Sequence, residues 1–172
     1  MPTPSALTIG WTRQGYCVRV AGRGTMRESP ALRAFALRVL DEPGRPTLDV
    51  DLTACEYLDS TFLGALMGLF RQFEQAGPSG RLAIAGPAEV LHRLLGPTRL
   101  DAILPLRAEC PERLGEEVPI LPQALDSADL GRHILESHRR LAELGGANAA
   151  VFGPIADQIA RELDRRAGSR PA

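Results

Sequence analysis

The sequence predicts an α/β fold with a mostly parallel sheet, followed by a C-terminal helical hairpin. Three observations lead there. From residue 6 to residue 110, short apolar strand-like runs alternate with helix-like runs, and parallel neighbours need such helical crossovers. The stretch "CPERLGEEVPILPQALDS" then breaks the pattern with Pro111, Pro119, Pro122 and an acidic pair. Beyond it lie two amphipathic stripes with Gly145-Gly146 between them. The expected organisation is an α/β domain over 1–112, a linker over 113–126 and a helical hairpin over 127–172.

The elements follow in order. "GYCVRVAG" alternates Tyr16, Val18 and Val20 with Cys17, Arg19 and Ala21, the signature of a half-buried strand. "LTIGWTRQG" before it is a candidate hairpin partner. In "SPALRAFALRVLDEPG", Ser29 stands at an N-cap position and Pro30 at the first helical position. Leu32, Phe35, Ala36, Val39 and Leu40 follow at helical spacing. "TLDVDLTA" is a strand with Leu48, Val50 and Leu52 on one face, and a helix follows from Thr61 to about Gln75, closed by "AGPSG". "RLAIAG" is a short strand, "PAEVLHRLLG" a helix, and "LDAILPLR" a short helical turn and strand. In the tail, Leu130, Ile134, Leu141 and Leu144 form one stripe, and Phe152, Ile155, Ile159 and Leu163 another. Such a hairpin cannot bury its stripes alone. It needs the α/β domain, a partner, or a second copy, so a homodimer through these helices is one expectation.

The helix from Thr61 has apolar residues on more than one face: Phe62, Leu63, Leu66, Met67, Leu69, Phe70 and Phe73. A helix with its back to water keeps one polar side. Gly64 and Gly68 open a line along it for close backbone approach, at about 1 kcal/mol of helix propensity each. Both features point to packing on a second surface.

Composition excludes several function classes. The formal net charge of the 172 residues is -1, without the basic face that nucleic-acid binding requires. All 20 basic residues are arginine. No apolar run approaches the ~20 residues of a membrane span, and "MPTPSALTIG" is unlike a signal peptide. A cytoplasmic protein is expected. Cys17, Cys55 and Cys110 are odd in number and widely spaced, which argues for buried thiols over a disulfide framework or a zinc site. "GRGT" at 22–25 lacks the spacing of a phosphate-binding loop. His92, His133 and His138 share no ligand face, so no metal and no cofactor are expected. No Ser, His and acid set is evident, which leaves an enzyme or ligand-binding domain as the weakest reading.

The remaining motif is "EYLDSTFLGALMGLF", where Asp59, Ser60 and Thr61 sit at a strand-to-helix turn. Ser60 there is either an N-cap or a hydroxyl placed for modification. The stretch from Leu48 to Leu95 resembles the STAS domain of bacterial anti-anti-sigma factors, through the Asp-Ser-Thr-x-Leu-Gly core between strand and helix. The resemblance covers about residues 5 to 110. It implies a mixed sheet of four to five strands with helices on one side, and no enzymatic activity. It also implies a phosphorylation-switched protein that sequesters an anti-sigma factor or related serine kinase, with a phosphatase as a further partner. On that resemblance Ser60 is the phosphoacceptor, and Asp59, Thr61, Phe62, Thr25 and Arg23 meet the partner. Two positions depart from the family: Phe62 stands where glycine is common, and Gly22-Arg23-Gly24-Thr25 replaces an acidic loop. A scaffold or sensor-complex subunit of the same fold, assembling through its helical extension, is the alternative.

Overall fold

The computed structural model describes residues 5–44, 46–77 and 80–168. Its strands are β1 (Ala6–Trp11), β2 (Gly15–Gly24), β3 (Thr47–Asp51), β4 (Cys55–Leu58), β5 (Leu82–Ala85), β6 (Leu106–Arg107) and β7 (Leu114–Ile120). Its helices are α1 (Ser29–Asp41), α2 (Ser60–Gln75), α3 (Ala88–Leu95), α4 (Ser127–Ala142) and α5 (Gly146–Gly168). The sheet runs β6-β5-β3-β2-β1-β7, with β4 pairing β2 beyond this path. β1 is antiparallel to β2 and to β7, and the other pairs are parallel. The mixed α/β architecture is as the sequence predicts, with seven strands among the described residues where four to five were expected. The "AGPSG" turn after α2 falls partly outside the described residues, at 78 and 79.

Two strands escaped the sequence reading, for different reasons. β4 is four residues long, buried at Cys55 and Leu58 and exposed between them, too short to show a period. β7 (Leu114–Ile120) occupies half of the segment 113–126 that was expected to be a linker. It pairs with β1 at Leu7↔Ile120, Thr8↔Pro119 and Ile9↔Val118, then shifts register to Trp11↔Leu114. Pro119 is tolerable because β7 is an edge strand, and Gly115 takes the positive φ of 77° near the register shift.

The sheet has two unlike faces. Leu7, Val18, Val20, Leu48 and Val50 belong to the core shared with Leu32, Phe35, Phe62, Leu66 and Phe73 of α1 and α2. The opposite face carries Cys17, Arg19, Asp49 and Asp51, and the chain from β6 to β7 runs across it. Arg107 pairs with Asp49 at 3.1 Å, and Arg113 with Asp51 at 3.0 Å. Cys17 and Cys110 form a disulfide there, which corrects the expectation of three free thiols; Cys55 alone is free among the described cysteines. Burial raises the Asp49 carboxyl above the ordinary carboxylate range, opposed by Arg107.

The tail docks on its own chain. α4 packs on α5 and on α2, which accounts for the apolar excess of α2: one side meets the sheet and another meets α4. A Cβ at Gly64 would overlap the Ser137 backbone, and one at Gly68 would lie 2.7 Å from the Arg140 guanidinium. Gly145 and Gly146, with φ of 77° and 56°, turn the chain between the two helices. Leu141 joins the core, while Leu130, Ile134, Leu144, Ile159 and Leu163 are half-buried. Leu163 rests against Gly131, so the predicted stripes serve largely to zip α4 to α5.

Gly64→Ala tests this contact. Alanine raises helix propensity by about 1 kcal/mol, so an unopposed substitution stabilises. Overpacking against the Ser137 backbone costs ~1–3 kcal/mol. The expected outcome of thermal unfolding is a lower Tm for Gly64→Ala than for the parent.

Candidate functional site

The site forms where β2 and β4 end and where α1 and α2 begin. Its first support is the turn into α1. Thr25-Met-Arg-Glu28 closes a reciprocal cap: the Thr25 carbonyl accepts the N–H groups of Glu28 and Ser29, at 3.0 and 2.9 Å. The Glu28 carboxylate accepts the Thr25 N–H at 2.9 Å and its hydroxyl at 2.6 Å. Only the glutamate half of a capping box forms, since the Thr25 hydroxyl donates to Glu28, and the N-cap of α1 is Glu28 where Ser29 was predicted. Ser29 instead is fully buried, its hydroxyl 2.8 Å from Nε2 of His133.

Asp59 is the second support, and it takes the capping role that the sequence left open for Ser60. One carboxylate oxygen accepts the Phe62 N–H at 2.8 Å, and the other accepts the Met26 N–H at 2.8 Å. Its own N–H donates to the Gly24 carbonyl at 3.0 Å. One side chain therefore starts α2 and holds the α1 turn beside it.

Ser60 is thus released from capping. It is half-buried, with Oγ 3.0 Å from Nε2 of His138 on α4. Nδ1 of His138 lies 2.9 Å from the Ile134 carbonyl. A carbonyl only accepts, so Nδ1 carries the proton and Nε2 is the acceptor. The Ser60 hydroxyl then donates to His138. The Phe152 ring packs against the same imidazole at 5.8 Å between centroids.

The other expected partner-binding residues separate into two groups. Arg23 is exposed and lies over the Tyr57 ring at 4.3 Å; with Tyr57 and Met26, both exposed, it forms the open rim beside Asp59. Thr25 sits on the same rim, committed to its cap. Phe62 and Thr61 are corrections: Phe62 is fully buried in the core and Thr61 is buried too, so neither offers a side chain to a partner. The helical phase explains it, since Phe62 points into the sheet below Gly24, whose Cβ would meet its ring at 3.0 Å. His133, His138, Met26 and Tyr57 were missed. The histidines gave a signal in the sequence, as polar residues breaking an apolar helix face, but their targets 78 and 104 residues away were not legible.

Burial, with Arg33 and Arg140 nearby, lowers the His133 pKa to about 4. Cys17, Cys110 and Asp51 bring three candidate ligand atoms together on the far face of the sheet. The two sulfurs are joined, and Asp51 is engaged by Arg19 and Arg113.

Two measurements follow. Asp59→Ala removes a cap and a second, exposed hydrogen bond, an expected loss of about 1–2 kcal/mol in urea unfolding. Ser60→Ala removes one side-chain bond, an expected ~0.5–1.5 kcal/mol. The second concerns pH. A histidine whose folded pKa is below its unfolded value keeps its full contribution above the unfolded pKa and loses it as pH falls. For His133 the window runs from 6.5 down to about 4, with a stability change on the order of 3 kcal/mol. His133→Ala should flatten the pH dependence of unfolding in that window.

A family model described as "Mlab, STAS domain" matches residues 7–106, more than half of the chain. No curated protein matches. Among solved structures, an anti-sigma factor antagonist from Mycobacterium paratuberculosis is 27% identical, with a TM-score of 0.49, covering 62% of this chain and 89% of its own. A candidate anti-sigma factor antagonist from Thermotoga maritima is 18% identical, with a TM-score of 0.45, covering 57% of this chain and 82% of its own. The matched span holds β1 to β6, the Asp59 cap and Ser60, and the chain belongs to the STAS domain family.

Proposed function

We propose that this chain is a regulatory binding protein of anti-anti-sigma type, switched by phosphorylation of Ser60. Its partner is an anti-sigma factor or related serine kinase, whose sequestration frees a sigma factor, and a phosphatase resets the switch. The observation that carries this reading is the division of labour between Asp59 and Ser60. Asp59 caps α2, so the Ser60 hydroxyl stands at the helix N-terminus bonded to His138 and is not needed to start the helix. A phosphate there adds about -1.5 to -2 charges and three acceptor oxygens. The helix end favours an anion by ~0.3–1 kcal/mol, so the α/β fold tolerates the group. A partner seated on the rim of Arg23, Met26 and Tyr57 meets a new charge beside an apolar contact. Each ~1.4 kcal/mol of that repulsion is tenfold in affinity.

A scaffold role through the hairpin is the second reading, favoured by Val151 and Ile155, which α5 leaves exposed at 54% and 39%.

The test uses a serine kinase of the anti-sigma type. With ATP, the parent should acquire one phosphate, located on Ser60 by mass spectrometry. Ser60→Ala should remain unmodified and still bind. Ser60→Asp should bind at least about tenfold more weakly. Arg23→Ala should weaken binding without altering phosphorylation. A Ser60→Asp chain that binds as tightly as the parent refutes the switch.

A further inference from the structure

We propose that the Cys17–Cys110 bond is a thiol–disulfide exchange site, opened by a small dithiol that enters from the far face of the sheet and attacks the Cys110 sulfur. The two cysteines stand 93 residues apart in sequence, one on β2 and one on the irregular run between β6 and β7. Their surroundings differ. Cys17 is fully buried. Cys110 is half-buried and lines a cleft of about 680 Å³ together with Arg19, Asp51, Pro87, Glu109 and Arg113. An attacking sulfur therefore has access to one end of the bond, and the other end becomes the leaving group.

The polar groups around the bond suit that chemistry. An Asp51 oxygen lies within 4.8 Å of both sulfurs, and its carboxylate holds Arg113 at 3.0 Å and Arg19 at 3.6 Å. The two guanidinium groups are thereby fixed at the cleft, where they favour an incoming thiolate. The leaving Cys17 sulfur needs a proton inside the protein. Asp49 is its partner in register across β2 and β3. Asp49 is 2% exposed, and its Oδ1 has no hydrogen bond among the described residues, only the Arg107 charge at 3.1 Å. Burial raises this carboxyl above the ordinary range, so it holds a proton more readily than a surface carboxyl does. Arg107 then stabilises the carboxylate that proton transfer leaves behind.

The first dithiol sulfur bonds to Cys110 Sγ as the S–S bond breaks, and the electron pair goes to Cys17, which takes the Asp49 proton. The second dithiol sulfur displaces Cys110 as a thiolate, which is protonated from solvent through the cleft. The dithiol leaves as a disulfide, and the two protons it gives up replace those taken from Asp49 and solvent. The bond is also placed to close again. Arg107 and Arg113, three residues before and after Cys110, pair with Asp49 and Asp51, and β7 keeps its ladder with β1. These contacts do not depend on the bond, so the two thiols stay face to face after reduction.

The test uses the native full chain with its bond formed. Dithiothreitol without denaturant should reduce it, as read by iodoacetamide labelling with each cysteine resolved by peptide mass spectrometry. Oxidised glutathione should restore the bond, with the circular dichroism spectrum unchanged throughout. Reduced glutathione, a monothiol, should leave its adduct on Cys110 at least about tenfold more often than on Cys17, because access selects the sulfur attacked. Asp49→Asn should slow reduction, and the measurements on the parent decide the matter if that chain does not fold. Reduction only in urea that unfolds the chain identifies a structural staple and overturns the proposal. So does an adduct on Cys17, a bond that fails to form in oxidised glutathione, or an Asp49→Asn chain reduced as fast as the parent. No readout involves phosphate or Ser60, so the exchange site stands or falls apart from the function proposed above.

Discussion

The Asp59 carboxylate is the joint on which the site depends. Its two oxygens hold two helix starts, one through Phe62 and one through Met26, while its backbone N–H pairs with Gly24 at the end of β2. Two segments 33 residues apart in sequence are thereby fixed by one residue. Neutral side chains of similar size make one such bond well, but a carboxylate accepts several, and each bond to a charged acceptor is stronger than a neutral one. The acid in the Asp-Ser-Thr motif thus has a geometric reason that does not depend on what happens to the serine beside it.

Much of the fold was legible because it is written in local period. The alternation of Val18 and Val20, and of Leu48 and Val50, gave β2 and β3. The apolar excess of α2 and its paired glycines gave a second packing surface, and that surface proved to be α4. At the helix start the sequence offered Ser60 as the cap, and the structure gives that role to Asp59. Both oxygens stand within reach of the helix start, and only tertiary structure shows that His138 claims Ser60. Phe62 misled for a related reason. A motif position says that a residue lies near the partner face, while helical phase decides that its ring points at Gly24.

The hairpin makes the same point about stripes. Its apolar residues were readable, but not which surface they would seek. They meet each other and, through Leu141, Leu144 and Phe152, the core of the domain, while His133 and His138 add hydrogen bonds to Ser29 and Ser60.

The strand that replaced the expected linker bears on how the molecule keeps to itself. An exposed edge strand is a template for another chain's backbone. β7 carries Pro119, which has no N–H to offer, and Gly115, whose positive φ bends the ladder. Glu116 and Glu117 lie mid-strand, where an antiparallel copy would set carboxylate against carboxylate. The residues that made this segment look like a linker are those that stop the sheet from growing. With Leu114 and Val118 exposed, the chain is guarded in this way against stacking strand to strand with its own copies.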